Sequence, residues 1–185
     1  MIYIVRHGQT DGNVSKTLRG RVFDDQLNET GIQQATQVAK QLRGVKFDIC
    51  YCSPMTRTRQ TYEQISDCPV VTDQRILPLR YSDSLIGKDV ATARDYHEFF
   101  MRTNKRFGDD AETILEFEKR VFEFMDEICR KHKKQNVLVC THSTVCKIVK
   151  AYFFGLPKDN SYASIPGTKN CDIIKGYKKS LRGTR

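Results

Sequence analysis

Two short apolar runs in this chain each end on a histidine, and that pairing constrains the fold more than any other feature. Ile2-Tyr3-Ile4-Val5 leads into Arg6-His7-Gly8, and Val137-Leu138-Val139-Cys140 leads into Thr141-His142-Ser143. The second run is apolar at four consecutive positions, the pattern of a strand buried on both faces of a parallel sheet. Parallel strands need crossovers, and helical patterns fill the intervals. Ile32, Ala35, Val38, Ala39 and Leu42 recur at helical spacing over residues 31–42, with Thr30 as the expected cap. Residues 47–51 read as a second strand, and Ser53-Pro54 as the opening of a helix with proline just inside its start. Val70-Val71-Thr72 reads as a short third strand, and residues 76–89, without a clean period, as a loop. The longest helical signal spans 112–131, and a further one follows His142 through Val145, Ile148, Val149 and Tyr152 to stop at Gly155-Leu156-Pro157. A last strand is expected near Asp172-Ile173-Ile174. The alternation predicts an α/β fold over residues 1–185: a single-domain three-layer sandwich, its mostly parallel central sheet covered by helices on both faces. A basic C-terminal tail is expected at about 176–185.

Composition narrows the partners. With 185 residues, 39% hydrophobic and 29% charged, the chain suits one globular domain and is too apolar for disorder. No apolar stretch approaches the roughly 18 residues of a membrane span, and the first strand meets Arg6 too soon for a signal peptide. No membrane partner is expected. Seven cysteines, an odd number, fall inside predicted strands and helices, which points to reduced thiols and a cytoplasmic location. Cys50-Tyr51-Cys52 lacks a second Cys or His pair at zinc spacing and reads as buried strand, so no metal is expected. The net charge of +9 favours anionic ligands. Part of it is local, because Lys169, Lys175, Lys178, Lys179, Arg182 and Arg185 face only Asp172. Such a run reads as a solvated tail, and nucleic acid is not the expected partner.

The two histidines stand where loops at the carboxyl ends of parallel strands meet. Arg57, shortly past the end of another strand, would join them. Taken singly, each histidine could cap its strand, and Arg6 or Arg57 could be a surface ion-pair partner. Together they fit phosphoryl transfer. A neutral imidazole can attack phosphorus once its other nitrogen is fixed by a carbonyl. Gly8 would let the backbone pass close to ring and ligand. Arg6 and Arg57 would offer planar forks to phosphate oxygens, and His142 could donate to an oxygen gathering charge.

These residues resemble the histidine phosphatase superfamily, in the branch that includes cofactor-dependent phosphoglycerate mutases and fructose-2,6-bisphosphatases. Arg6-His7-Gly8-Gln9-Thr10 with Asn13 is similar to its signature, with Gln9 where Glu is usual. Leu27, Thr30, Gly31, Gln34 and Ala35 resemble a second segment, Ser53-Pro54-Met55-Thr56-Arg57 with Gln60-Thr61 a third, and Val139-Cys140-Thr141-His142-Ser143 the second histidine segment. Ala111-Glu112-Thr113 with Arg120 looks like a degenerate helix start of the family, and Asn170-Cys171 before the last strand is also familiar. The resemblance covers nearly the whole chain, in order. It implies that His7 becomes phosphohistidine, that Arg6, Arg57 and His142 surround the phosphoryl group with Gly8 and Asn13 as further contacts, and that neither metal nor cofactor is used.

One departure matters. The family's proton-donating Glu would fall at Leu79, leaving Asp83 as the nearest carboxylate and candidate acid, and Glu112 as a more distant one. Other phosphate chemistries fit less well. No cysteine has Arg six positions on, as a cysteine phosphatase needs, and His142-Ser143-Thr144 has no second copy for a two-histidine phosphodiesterase. The expected function is a metal-independent phosphatase acting on a small phosphorylated substrate. A mutase-type phosphotransferase is the alternative, although 185 residues leave little room for enclosing insertions. A non-catalytic phosphate binder lacking the acid is the other.

Overall fold

The computed structural model describes residues 1–89 and 96–176. Most of the basic tail lies outside the described residues. Five strands form one sheet: β1 (Ile2–Arg6), β2 (Ile49–Cys52), β3 (Val70–Thr72), β4 (Val137–Thr141) and β5 (Ile173–Gly176). Their spatial order is β3-β2-β4-β1-β5. All neighbours are parallel except β5, which runs antiparallel to β1 at one edge.

Alternate residues of the central strands divide between two cores, as the twofold pleat requires. Ile2, Ile4, Tyr51, Val137 and Val139 enter the larger core, under α5 (Ile114–Lys131) and α6 (Ser143–Phe154), while Val5, Cys50, Cys52, Leu138 and Cys140 enter the other. The second core is closed by α2 (Glu29–Gln41) and α3 (Thr56–Ile65). Two four-residue helices, α1 (Asp11–Val14) and α4 (Tyr96–Phe99), complete the helical set among the described residues. The expected three-layer α/β architecture is present. All seven cysteines are free and buried, and five of them sit in the second core.

Several local expectations shift. The cap of α2 is Asn28 rather than Thr30: its Oδ1 accepts from the Gly31 N–H at 2.9 Å. Pro54 precedes α3 instead of opening it, and the Asp24 carboxylate on a distant loop accepts from Thr56 N–H at 2.7 Å in place of a local cap. Helix α5 starts on Thr113, which forms a reciprocal capping box with Glu116. No described helix is long and apolar enough to cross a membrane.

Candidate active site

The parallel register places the carboxyl ends of β1, β4 and β2 side by side. Arg6 pairs with Thr141, Cys52 with Cys140, and the His7 N–H donates to the Thr141 carbonyl at 2.9 Å. The residues just past those ends therefore converge. His7 and His142 have ring centroids 5.3 Å apart. Both line a cavity of about 160 Å³ together with Arg6, Arg57 and Asn13. Four predicted groups and Asn13 thus meet in one place.

Each side chain is held from behind. His7 Nδ1 donates to the Gly8 carbonyl at 2.7 Å, which fixes the tautomer and leaves Nε2 as the lone-pair nitrogen. His142 Nε2 and Ser53 Oγ are hydrogen-bonded at 2.8 Å, and with the hydroxyl as donor the His142 proton sits on Nδ1. Arg57 donates to the carbonyls of Phe23 and Gly20 at 3.0 and 3.2 Å. Arg6 Nη1 donates to the Thr168 carbonyl at 2.6 Å. That carbonyl ends a loop which Lys147 and Lys150 also hold through the carbonyls of Tyr162, Ala163, Ile165, Pro166 and Gly167. Asn13 Oδ1 accepts from Asn170 Nδ2 at 2.9 Å, leaving the Asn13 amide nitrogen for a ligand.

The site carries donors without acceptors. Among buried side-chain atoms lacking a partner are Arg6 Nε and His142 Nδ1. Buried polar groups are nearly always paired, so two unpaired donors in one cavity mark the place of an absent acceptor. Helix α6 starts at the same spot without a side-chain cap, adding the partial positive charge of its N-terminus. Burial, then the charges of Arg57 and Arg6, holds the His7 pKa well below the ordinary imidazole value. Burial, then Arg57, His7 and Arg6, does the same for His142. Both rings are neutral at pH 7. The cavity is a cation-lined cup around a neutral imidazole.

Comparison with known proteins agrees. Residues 2–176 match the model of the histidine phosphatase superfamily (branch 1). The chain belongs to the histidine phosphatase superfamily. It is 32% identical over 159 residues to a "probable phosphatase" of Schizosaccharomyces pombe, covering 82% of this chain and 72% of that one. It is 30% identical over 158 residues to an Arabidopsis thaliana protein named a metal-independent phosphoserine phosphatase, covering 80% and 66%. Phosphoglycerate mutases are also among its relatives. The solved structure of Bacillus stearothermophilus YhfR superposes with a TM-score of 0.81 at 25% identity, covering 93% of this chain and 88% of that one.

Within this histidine phosphatase, three expectations about single residues change. Gly8 is not a phosphate contact: its N–H is taken by Thr61 Oγ1 at 2.9 Å, and it does not line the cavity. The close approach it permits is to α2, because a Cβ there would stand 2.5 Å from the Gly31 carbonyl oxygen. Asp83 lies exposed on a 3₁₀ turn outside the cavity lining, its backbone N–H donating to Asp110 at 2.9 Å. It does not face the cavity. Glu112 is engaged by two arginines, Arg21 Nη2 at 2.8 Å and Arg120 Nε and Nη2 at 2.6 and 2.8 Å, and does not line the cavity either. Leu79, at the acid's expected position, is 2% exposed and apolar.

Other lining residues escaped the sequence reading. Thr10, Arg19, Asp25, Tyr81 and Thr144 all face the cavity. Thr10 could have been found, because Thr-x-x-Asn before a short helix is a capping pattern, and its Oγ1 does accept from Asn13 N–H. Arg19 and Asp25 carry no local signal, since a loop of irregular structure brings them in. Among the described residues, no three His, Cys, Asp or Glu side chains gather as a metal site.

Proposed function

We propose that this chain hydrolyses phosphate monoesters through a phosphohistidine on His7. The observation that supports this most directly is the pair of unpartnered buried donors, Arg6 Nε and His142 Nδ1, beside a histidine whose own Nδ1 is already committed. Phosphoryl oxygens take the places those donors face, with Arg57 and Asn13 as further contacts. Neutral His7 Nε2 attacks phosphorus; the P–N bond forms as the bond to the ester oxygen breaks, and that oxygen leaves with the electron pair and takes up a proton from solvent. The arginines and His142 stabilise the charge spread over the equatorial oxygens. Water then attacks the phosphohistidine, releases its proton to solvent, and frees inorganic phosphate and neutral His7.

Water is favoured over a second substrate as the acceptor. In the cavity the one further cation among the described residues, Arg19, is already neutralised by Asp25, so a bisphosphate or second phosphate group finds no free counter-charge. The arginines supply the positive charge that a metal would otherwise bring, so dialysis against EDTA should leave the rate unchanged. We place the protein in the cytoplasm on its seven free, buried thiols.

The test is a radiolabelled aryl phosphate and an alkaline quench. Wild type should yield a base-stable, acid-labile phosphoprotein, and His7→Ala should yield none. Undiminished turnover by His7→Ala would overturn the mechanism.

A further inference from the structure

The end of the sheet opposite the cavity carries two exposed features that the active site does not use. One is charge. The connections from α2 to β2 and from α5 to β4 meet there, locked by Asn136: its Nδ2 donates to the Lys46 carbonyl at 3.1 Å and its N–H to Asp48 at 2.7 Å. Residues 40–48 and 130–136 hold seven lysines and arginines against one carboxylate, Asp48. Arg43, Lys46, Arg130, Lys133 and Lys134 are all exposed, and among the described residues none of them forms an ion pair. Cations in a last helical turn oppose the macrodipole, which accounts for Arg130 and Lys131 in α5. It does not account for Lys46, Lys133 and Lys134, which lie outside the helices. Strand β5 ends here too, with Gly176 opposite Ile2. The sequence beyond it adds Lys178, Lys179, Arg182 and Arg185, outside the described residues.

The other feature is apolar. Helices α5 and α6 both run from the cavity end to this one, and the Tyr152 hydroxyl donates to Asp126 at 2.6 Å. That bond sets residues 154–156 level with the last turn of α5. Helix α6 stops at Gly155, whose φ of 108° favours glycine. On either side of that glycine, Phe154 and Leu156 stand 73% and 47% exposed, while Phe153 turns inward against Gly176. A single exposed apolar residue is ordinary. Here two of them flank one turn, at the same end of the molecule as the unpaired cations.

We infer that this end of the molecule docks on an anionic lipid bilayer. The lysines and arginines lie on the headgroups, as clustered cations do on negative lipid. Phe154 and Leu156 enter the boundary with the acyl chains and add buried apolar area. Nucleic acid fits less well, because Leu156 offers no ring to stack on a base, whereas acyl chains accept both side chains. The cavity, at the far end of every parallel strand, stays open to substrate in water. The expectation of no membrane partner rests on the lack of a spanning stretch, and a surface contact needs no span.

Co-sedimentation of the full chain with vesicles tests this. Phosphatidylcholine vesicles with about 30% phosphatidylserine should bind at least about tenfold more tightly than phosphatidylcholine alone, and raised ionic strength should release the protein. Lys133→Glu combined with Lys134→Glu should weaken binding roughly tenfold or more. Phe154→Ser should weaken it severalfold at constant charge. Urea melts check that each variant folds, and Lys133→Gln with Lys134→Gln replaces the glutamate pair if that one does not. No preference for the phosphatidylserine vesicles, or binding that survives either change undiminished, would overturn the inference. So would a dimer that Phe154→Ser disperses in a chain that binds neither vesicle, because the apolar pair would then join two copies. Tighter binding to single-stranded RNA than to the anionic vesicles at equal ionic strength would overturn it in favour of nucleic acid.

Discussion

The floor and the overhanging wall of the cavity are built by different means. The floor, Arg6, His7, Arg57 and His142, sits at or shortly past the ends of strands locked by backbone ladders, and its side chains are oriented from behind, one carbonyl or hydroxyl each for Arg6, His7 and His142 and two carbonyls for Arg57. The wall around Pro78, Leu79 and Tyr81 has no ladder. It hangs on Arg120, which donates to the carbonyls of Arg75, Leu77 and Pro78, and on Arg21, which donates to Pro78 as well. Glu112 ties both arginines together. The floor keeps donors unpaired for a ligand, while in the wall Arg21, Arg120 and Glu112 are spent on one another. Chemistry that needs exact placement rests on the sheet, and the wall is left to define shape.

The strongest way to break this contrast is at the floor. His7→Ala should reduce aryl phosphate hydrolysis by on the order of 10⁴-fold or more, as loss of a nucleophile does elsewhere, with an unchanged circular dichroism spectrum. Among the described residues, no carboxylate lines the cavity on the side of Pro78 and Tyr81, and this gives the next effect. With Leu79 at the acid's place, wild type should turn over p-nitrophenyl phosphate about 10²- to 10⁴-fold faster than n-propyl phosphate, the usual worth of general acid catalysis. Near-equal rates would reveal an acid in the wall. Glu112→Gln should then cost about 2 kcal/mol of stability in urea melts, because it leaves two half-buried arginines short of their partner. If Glu112 were the acid, the same substitution would instead slow alkyl esters with little change in the melt.

Protonation sharpens the comparison further. Both floor histidines have folded pKa values depressed below the unfolded value, so below pH 6.5 the unfolded chain binds more protons than the folded one. Stability is therefore full above that value and falls as pH drops, by up to about 1 kcal/mol per histidine between pH 6.5 and 5.5. Urea midpoints across that range, compared with those of His7→Ala, check the sign and share. The smallest effect belongs to Asp83→Asn, which should alter aryl and alkyl turnover alike by less than about twofold, within ordinary surface variation.

The same contrast explains what could be read beforehand. Arg6, His7, Arg57 and His142 were legible because each stands at or shortly past the end of a strand whose apolar run marks it, and because a ladder converts sequence position into spatial position. The strand order itself was not legible, since hydrophobic runs do not state their neighbours. The expectation for Asp83 rests on counting along a loop, and counting fails where no regular element carries the chain. Glu112 gave no sign that arginines 91 positions before it and 8 after it would close upon it. The Arg19–Asp25 pair was hidden for the same reason.

The contact of Gly8 with Gly31 has a consequence for how such a chain can diversify. Asn28 N–H donates to the Gln9 carbonyl, Gln9 N–H donates to Gln34 Oε1, and a Cβ on Gly31 would stand 2.2 Å from the Gln9 carbonyl oxygen. The nucleophile's loop and the start of α2 are thus riveted together, and everything between residues 11 and 27 is an arch with both feet fixed. Lengthening that arch costs little in loop entropy and leaves His7 where it is, while its Gly20 and Phe23 carbonyls must stay in place to hold Arg57. Arg19 and Asp25 ride on the arch. Inheritance can therefore trade one set of cavity-wall side chains for another by editing a span of chain, with His7 and His142 held in register by the sheet throughout.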